Sequence, residues 1–196
     1  MDIAELHRLE EILGHQFADH ALLQRAVTHA SLVDSRLESN ERLEFLGDSV
    51  LGLVVCSYLY EQFSDLLEGE MTKIKSTVVS RRVCAEIASS LGLEDVLRLG
   101  KGMNRHVALP SSVLAAVLES LVGALYLDGG IEVARTFILR MTKPRIEAAA
   151  NSGHQHNFKS VLQQSAQQVL GQTPQYVILD EQGPDHAKCF EVAVEI

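Results

Sequence analysis

The sequence predicts a mainly α protein: an all-helical domain over residues 1–149, a linker at 150–157 and a partial α-β-β module over 158–196. Three observations carry this reading. Through the first three quarters of the chain, apolar residues recur every three to four positions, the period of a helix buried on one side. The stretch ANSGHQHN at 150–157 is small and polar, a composition suited to a linker. Beyond it, residues 175–180 and 189–196 alternate at period two, as strands do.

The elements follow in order. Residues 3–13 read as an amphipathic helix, and residues 19–32 contain a second, with Asp19 as its N-cap. Residues 33–39 are polar and loop-like. A long helix follows at 40–63, with Leu43, Leu46, Val50, Leu53 and Val54 on its buried side. A turn at 64–69 leads to a helix over 70–91 that Gly92 ends. A short helix is expected at 94–99 and a Gly-punctuated loop at 100–110. Residues 111–127 form a nearly all-apolar helix closed by Asp128-Gly129-Gly130, and residues 131–149 form another. After the linker come a helix at 158–170 and two strands joined by a turn at Gly183-Pro184-Asp185.

Composition narrows the classes. Hydrophobic residues make up 46% of the 196, enough for a true core. Cys56, Cys84 and Cys189 are odd in number, far apart and in no CxxC pattern, which argues against a disulfide framework or a zinc site and for reduced thiols in the cytoplasm. The acidic, amphipathic N-terminus does not read as a signal peptide, and the longest apolar run, 113–127, carries Glu119, so no membrane partner is expected. The formal charge of -9 counts against bulk electrostatic binding of nucleic acid. Any such binding needs local basic groups or metal ions.

The chemistry concentrates in NERLEFLGDS, residues 40–49. Glu41, Glu44 and Asp48 stand three and four apart, so on a helix they share one stripe and repel one another. Glu119 is a single carboxylate within the apolar helix 111–127, costly to bury unless paired or metal-bound. Read singly, the stripe is a solvated face and Glu119 a rim residue meeting Arg or Lys. If the two helices pack side by side, four carboxylates converge, and a divalent cation or shifted pKa values must relieve them. An all-oxygen site suits Mg²⁺, with Mn²⁺ as a substitute.

NERLEFLGDS resembles the signature of the ribonuclease III family. Thr28-His29-Ala30-Ser31, the stretch Gly69-Glu70-Met71-Thr72-Lys73 through Val79-Ser80, and Leu118-Glu119-Ser120-Leu121-Val122-Gly123-Ala124-Leu125-Tyr126-Leu127-Asp128 resemble its other motifs in the family order. Residues 157–196 resemble the first two thirds of a double-stranded-RNA-binding domain. The resemblance implies Mg²⁺-dependent hydrolysis of double-stranded RNA to 5′-phosphate and 3′-hydroxyl ends with short 3′ overhangs, and processing of rRNA precursors and other structured RNA. It implies Asp48 and Glu119 as the catalytic pair, Glu44, Asp48 and Glu119 as metal-site carboxylates, and Glu41 as an outer or water-mediated one. It further implies a homodimer with Phe45 as an aromatic knob at the interface. One position departs from the pattern: Ala116 stands where the family has Asp, three residues before Glu119. That substitution keeps open a second expectation, a catalytically impaired dimeric double-stranded-RNA-binding protein.

In the last module the resemblance places Gln163, Gln164 and His186 against RNA. A solvated helix face and a polar turn are equal readings of these residues. The family's basic third segment does not follow, and residues 158–196 carry Lys159 and Lys188 against five acidic residues, so weak RNA binding is expected of this module. Lys73, Lys75, Arg81 and Arg82 are read as a solvated helix face rather than as phosphate contacts.

Overall fold

A computed structural model describes residues 2–101, 103, 109–154, 158–182 and 189–196. Contacts divide the chain into two units, Met1–Ala149 and Ala150–Ile196. The fold is predominantly helical with one small antiparallel sheet.

The first unit begins with α1 (Ile3–Leu13), whose N-terminus is closed reciprocally: Asp2 accepts from the Glu5 amide at 2.8 Å and Glu5 accepts from the Asp2 amide at 3.0 Å. It ends at Gly14, whose φ of 71° suits a residue without Cβ. Asp19 caps α2 (His20–Ala26) through the amides of Ala21 and Leu22, as expected. Two 3-10 turns, Ala30–Leu32 and Arg36–Glu38, occupy much of the stretch before α3 (Glu41–Gln62). Residues 28–31 tie the start of α3 to the body of the unit. The Asn40 amide donates to the Thr28 carbonyl at 2.9 Å, and the His29 amide to that of Arg98 at 3.0 Å.

Two expectations fail between α3 and the last helix of the unit. The single helix foreseen at 70–91 is two, α4 (Glu68–Val78) and α5 (Arg81–Ser90). Ser80 lies between them in an extended conformation and accepts from the Val83 amide at 3.4 Å, so it starts a new helix instead of continuing the old one. The helix foreseen at 94–99 is only a 3-10 turn, Leu93–Asp95. The following residues leave it to pair with the segment at 27–29, the Arg98 amide donating to Val27 at 2.7 Å.

The last helix, α6 (Ser111–His154), breaks at Gly130, where φ is 79° and ψ is -178°. Its helical turns thus fall into the two stretches foreseen from the Asp128-Gly129-Gly130 sequence. Residues 150–154, where a linker was expected, continue it. The core lies between α3 and α6: Val50, Leu51, Val54, Val55 and Leu59 from one, Val117, Leu121, Val122 and Leu125 from the other, are almost entirely buried. The expectation for Leu46 and Leu53 is corrected, since Leu46 is half-buried and Leu53 is 58% exposed. A 3.6-residue period leaves Leu53 on the face shared by Phe45, Ser49, Cys56 and Tyr60, all exposed.

By length and composition alone, Glu41–Gln62 and Ser111–Asn151 are apolar enough to cross a membrane, although the longest apolar run singled out in the sequence was only 113–127. Their apolar stretches are 44% and 50% buried against the rest of the chain, as core helices are.

The second unit holds α7 (Phe158–Leu170) and the strands β1 (Gln175–Gln182) and β2 (Cys189–Glu195). The strands pair antiparallel, Gln175 opposite Glu195 and Gln182 opposite Cys189, with a register shift between Ile178 and Asp180. Val177, Ile178, Leu179, Val192 and Val194 all remain substantially exposed on this two-stranded sheet.

Candidate metal centre and catalytic cleft

The acidic stripe of α3 and the lone Glu119 of α6 meet because glycine stands at both points where the helices touch. A Cβ on Gly47 would overlap the main-chain carbonyl of Glu119, and one on Gly123 would overlap that of Leu43. Backbone contact at this crossing brings the nearby side chains, Glu44 and Asp48 on α3 and Glu119 on α6, to the same cleft. The cleft has a volume of about 650 Å³, and its walls include Glu41, Glu44, Asp48, Arg81, Ala116 and Glu119. All four carboxylates singled out in the sequence are therefore brought together.

Their electrostatics reflect crowding. Burial is the main cause that pushes Glu119 up to about 7, and the charges of Asp48 and Glu44 add to it; a hydrogen bond from the Cys84 thiol and the charge of Arg81 act the other way. Glu44 is also raised, first by burial and then by Glu41, with Arg81 opposing and Asp48 contributing a smaller increase. The Cys84 thiol is pushed up to about 12 by burial and by the neighbouring Glu119 and Asp48, so it stays protonated. Glu41 is half-buried and held by Arg36 at 3.2 Å, which sets it apart from the inner carboxylates.

A hard divalent cation fits this donor set. Every inner donor is a carboxylate oxygen, and the mutual repulsion of Asp48, Glu44 and Glu119 is one that a cation would relieve. The fit is an open one. Among the described residues, no three His, Cys, Asp or Glu side chains are already gathered in ion-holding geometry, and Ala116 offers the cleft a methyl group where a fifth carboxylate would reach. Water would have to complete such a coordination shell.

Asp128, at the end of the stretch Leu118 through Asp128, does something else. The residue is half-buried with its side chain largely covered, and it accepts from His15 Nε2 at 2.8 Å and from the amides of Asp19 and Ala18 at 2.9 and 3.1 Å. Burial alone would raise its pKa, but these donors outweigh it and the net shift is downward. It is a structural carboxylate that fixes the loop before α2.

Phe45 is 80% exposed at the edge of the cleft. Gln163 is exposed on α7; Gln164 is on the same helix, its side chain outside the described residues, as is His186 altogether. Sequence reasoning missed Arg81 as a cleft residue. The available signal was Ser80, a strong N-cap residue: ending one helix and starting another there redirects the next side chain, whereas a continuous helix keeps Arg81 on a solvated face.

A family model described as Ribonuclease-III-like matches residues 19–146. A Ribonuclease 3 from Rhodopirellula baltica is 47% identical over 188 residues, covering 96% of this chain and 71% of that protein. The Ribonuclease 3 of Symbiobacterium thermophilum is 44% identical, covering 94% of this chain and 79% of its own length. Among solved structures, the nuclease domain of ribonuclease III from Campylobacter jejuni superposes with a TM-score of 0.67 at 38% identity, over 71% of this chain and 97% of that one; that structure concerns flexibility in the region involved in dimer formation. A Dicer from Pichia stipitis is similar over 90% of this chain and 80% of its own, with a TM-score of 0.51 and 26% identity.

Proposed function

This chain belongs to the ribonuclease III family, and on that premise we propose that its acidic cleft hydrolyses phosphodiester bonds in double-stranded RNA with Mg²⁺, leaving 5′-phosphate and 3′-hydroxyl ends with short 3′ overhangs. The family consists of endoribonucleases, acts on double-stranded RNA and generally depends on a divalent metal. The observation that carries the reading for this chain is the convergence of Glu44, Asp48 and Glu119 on one cleft, with Glu119 raised to about 7.

Bound Mg²⁺ would supply an acidified water and positive charge against the scissile phosphate. The chain's own residues do the rest. Asp48 and Glu119 would hold the cation from two different helices, whose approach is set by the crossing at Gly47 and Gly123. Glu44 adds a third carboxylate from the α3 stripe. Glu41, steadied by Arg36, serves through water from the outer edge. A homodimer joined through Phe45 would set two such clefts against the two strands of a duplex. The substrates suited to this chemistry are structured RNAs such as rRNA precursors.

A long RNA duplex incubated with Mg²⁺ tests the reading. The chain should cut it, and Asp48→Asn or Glu119→Gln should each abolish cutting while duplex binding in Ca²⁺ persists. An intact duplex with the parent chain at saturating Mg²⁺ would instead favour the second reading, a dimeric double-stranded-RNA-binding protein impaired in catalysis. Ala116 in the cleft wall is the observation that supports that alternative.

A further inference from the structure

We propose that Arg81 is a further substrate-contacting residue, its guanidinium taking a phosphate of the RNA duplex at the mouth of the acidic cleft; this rests on the double-stranded-RNA reading above. Arg81 lines the same cleft as Glu41, Glu44, Asp48 and Glu119. Its charge is felt by two of them, opposing the upward shifts of Glu44 and Glu119. Yet it is exposed and, among the described residues, makes no hydrogen bond and no ion pair within 4 Å.

The neighbouring arginine shows the contrast. Arg82 is committed to Glu86 at 3.0 Å, one turn along α5, and the same Glu86 also receives Arg145 at 3.5 Å. Arg81 thus keeps its donors available beside the carboxylates, whereas Arg82 does not. Helix stability does not explain Arg81. It occupies the first position of α5, where a cation opposes the helix dipole. Its charge offsets the crowding of Glu44 and Glu119 but also works against a bound cation, and its uncommitted N–H donors suit an incoming anion. The planar fork of arginine matches two phosphate oxygens. In a chain of net charge -9, one fixed cation at the cleft mouth is where an incoming phosphate finds its complement.

The full chain and the variants Arg81→Gln, Arg81→Lys and Arg82→Gln test this with a long mixed-sequence RNA duplex. Binding is measured in Ca²⁺ across a salt series, and cleavage in saturating Mg²⁺. Loss of one phosphate contact should flatten the slope of log K against log salt by roughly 0.7–0.9 per contact. Arg81→Gln should show that flattening and a kcat lower by about tenfold or more, the worth of a charge-assisted hydrogen bond. Arg81→Lys should keep the slope but lose part of kcat, because a point charge lacks the fork. Arg82→Gln should do neither. An unchanged slope in Arg81→Gln overturns the proposal, including the case where only the half-saturating Mg²⁺ concentration moves, since that marks a residue that merely screens the carboxylates. If the parent chain binds the duplex without cutting it, the catalytic reading fails while the slope still decides Arg81. Failure of the parent to bind duplex RNA overturns both.

Discussion

Gly47 of α3 packs against the main-chain carbonyl of Glu119 on α6, with no room between them for a methyl group. One residue on, Asp48 faces the cleft that the Glu119 side chain enters. The geometry of the acidic centre is therefore set by a backbone-to-backbone contact.

Gly47→Ala should destabilise the fold by about 3 kcal/mol, the upper end of overpacking costs, because backbone must move to admit the methyl. Gly52→Ala on the same helix is the control. A Cβ there meets only the flexible end of Lys75, at 3.8 Å, so the change should stabilise by roughly 0.5–1 kcal/mol through helix propensity. Urea denaturation of both variants checks the pair, and equal effects would refute the crossing as the tight point.

Ala116→Asp should lower the Mg²⁺ concentration for half-maximal cleavage severalfold, by adding a carboxylate to the wall one turn before Glu119. Superimposable Mg²⁺ titrations for parent and variant would show that water already completes the site at no loss.

The pH dependence follows from Glu119, whose value rises from 4.5 to about 7 in the folded chain. The metal-free fold then retains a proton that the unfolded chain has lost. The stability that Glu119 contributes is fully present below pH 4.5, falls as pH rises from there, and is lost above about 7. Mg²⁺ competes with that proton, so its affinity should rise with pH up to about 7 and then flatten. Thermal denaturation from pH 5 to 8 with and without Mg²⁺ measures both trends; a Mg²⁺-induced stabilisation that is the same at pH 5.5 and 7.5 would contradict the assignment of Glu119 to the metal.

Phe45→Asp should yield monomers in sedimentation velocity. Phe45 is 80% exposed and continues into a face with Leu53 and Tyr60, which are 58% and 77% exposed. A sedimentation coefficient unchanged by the substitution would remove Phe45 from the interface.

Asp128→Ala should cost about 1–3 kcal/mol, since it leaves the amides of Ala18 and Asp19 and the His15 ring without their acceptor. The depressed pKa of Asp128 adds a sign: its stabilisation is present above the ordinary value of 3.8 and fades as pH falls through the lower folded value. The variant and the parent should thus converge in stability under acid, which acid titration followed by circular dichroism tests.

Much of this was legible in the residues. Helical period marked α1, α2 and α3 and both halves of α6, and the Asp128-Gly129-Gly130 sequence marked the break at Gly130. The spacing of Glu41, Glu44 and Asp48 put them on one stripe, because helical geometry is local. The misreadings arose where a local pattern had two solutions. Residues 70–91 keep a helical composition straight through Val79 and Ser80, and only the extended conformation of Ser80 divides them. Leu53 is apolar like its neighbours, but its angle around α3 turns it away from α6.

The sequence by itself determined most of the helices, that Glu41, Glu44 and Asp48 share a face, and that Ala116 brings no acid three residues before Glu119. Those properties depend on covalent spacing and short-range backbone geometry. Only the tertiary structure decided that Glu119 meets the α3 stripe, that Asp128 is a structural acceptor, and that Arg81 lies beside the carboxylates with no ion pair among the described residues while Arg82 is taken by Glu86. Each of these pairs residues far apart in the chain or on separately oriented helices, and their encounter is set by how closely the backbones can approach at Gly47 and Gly123.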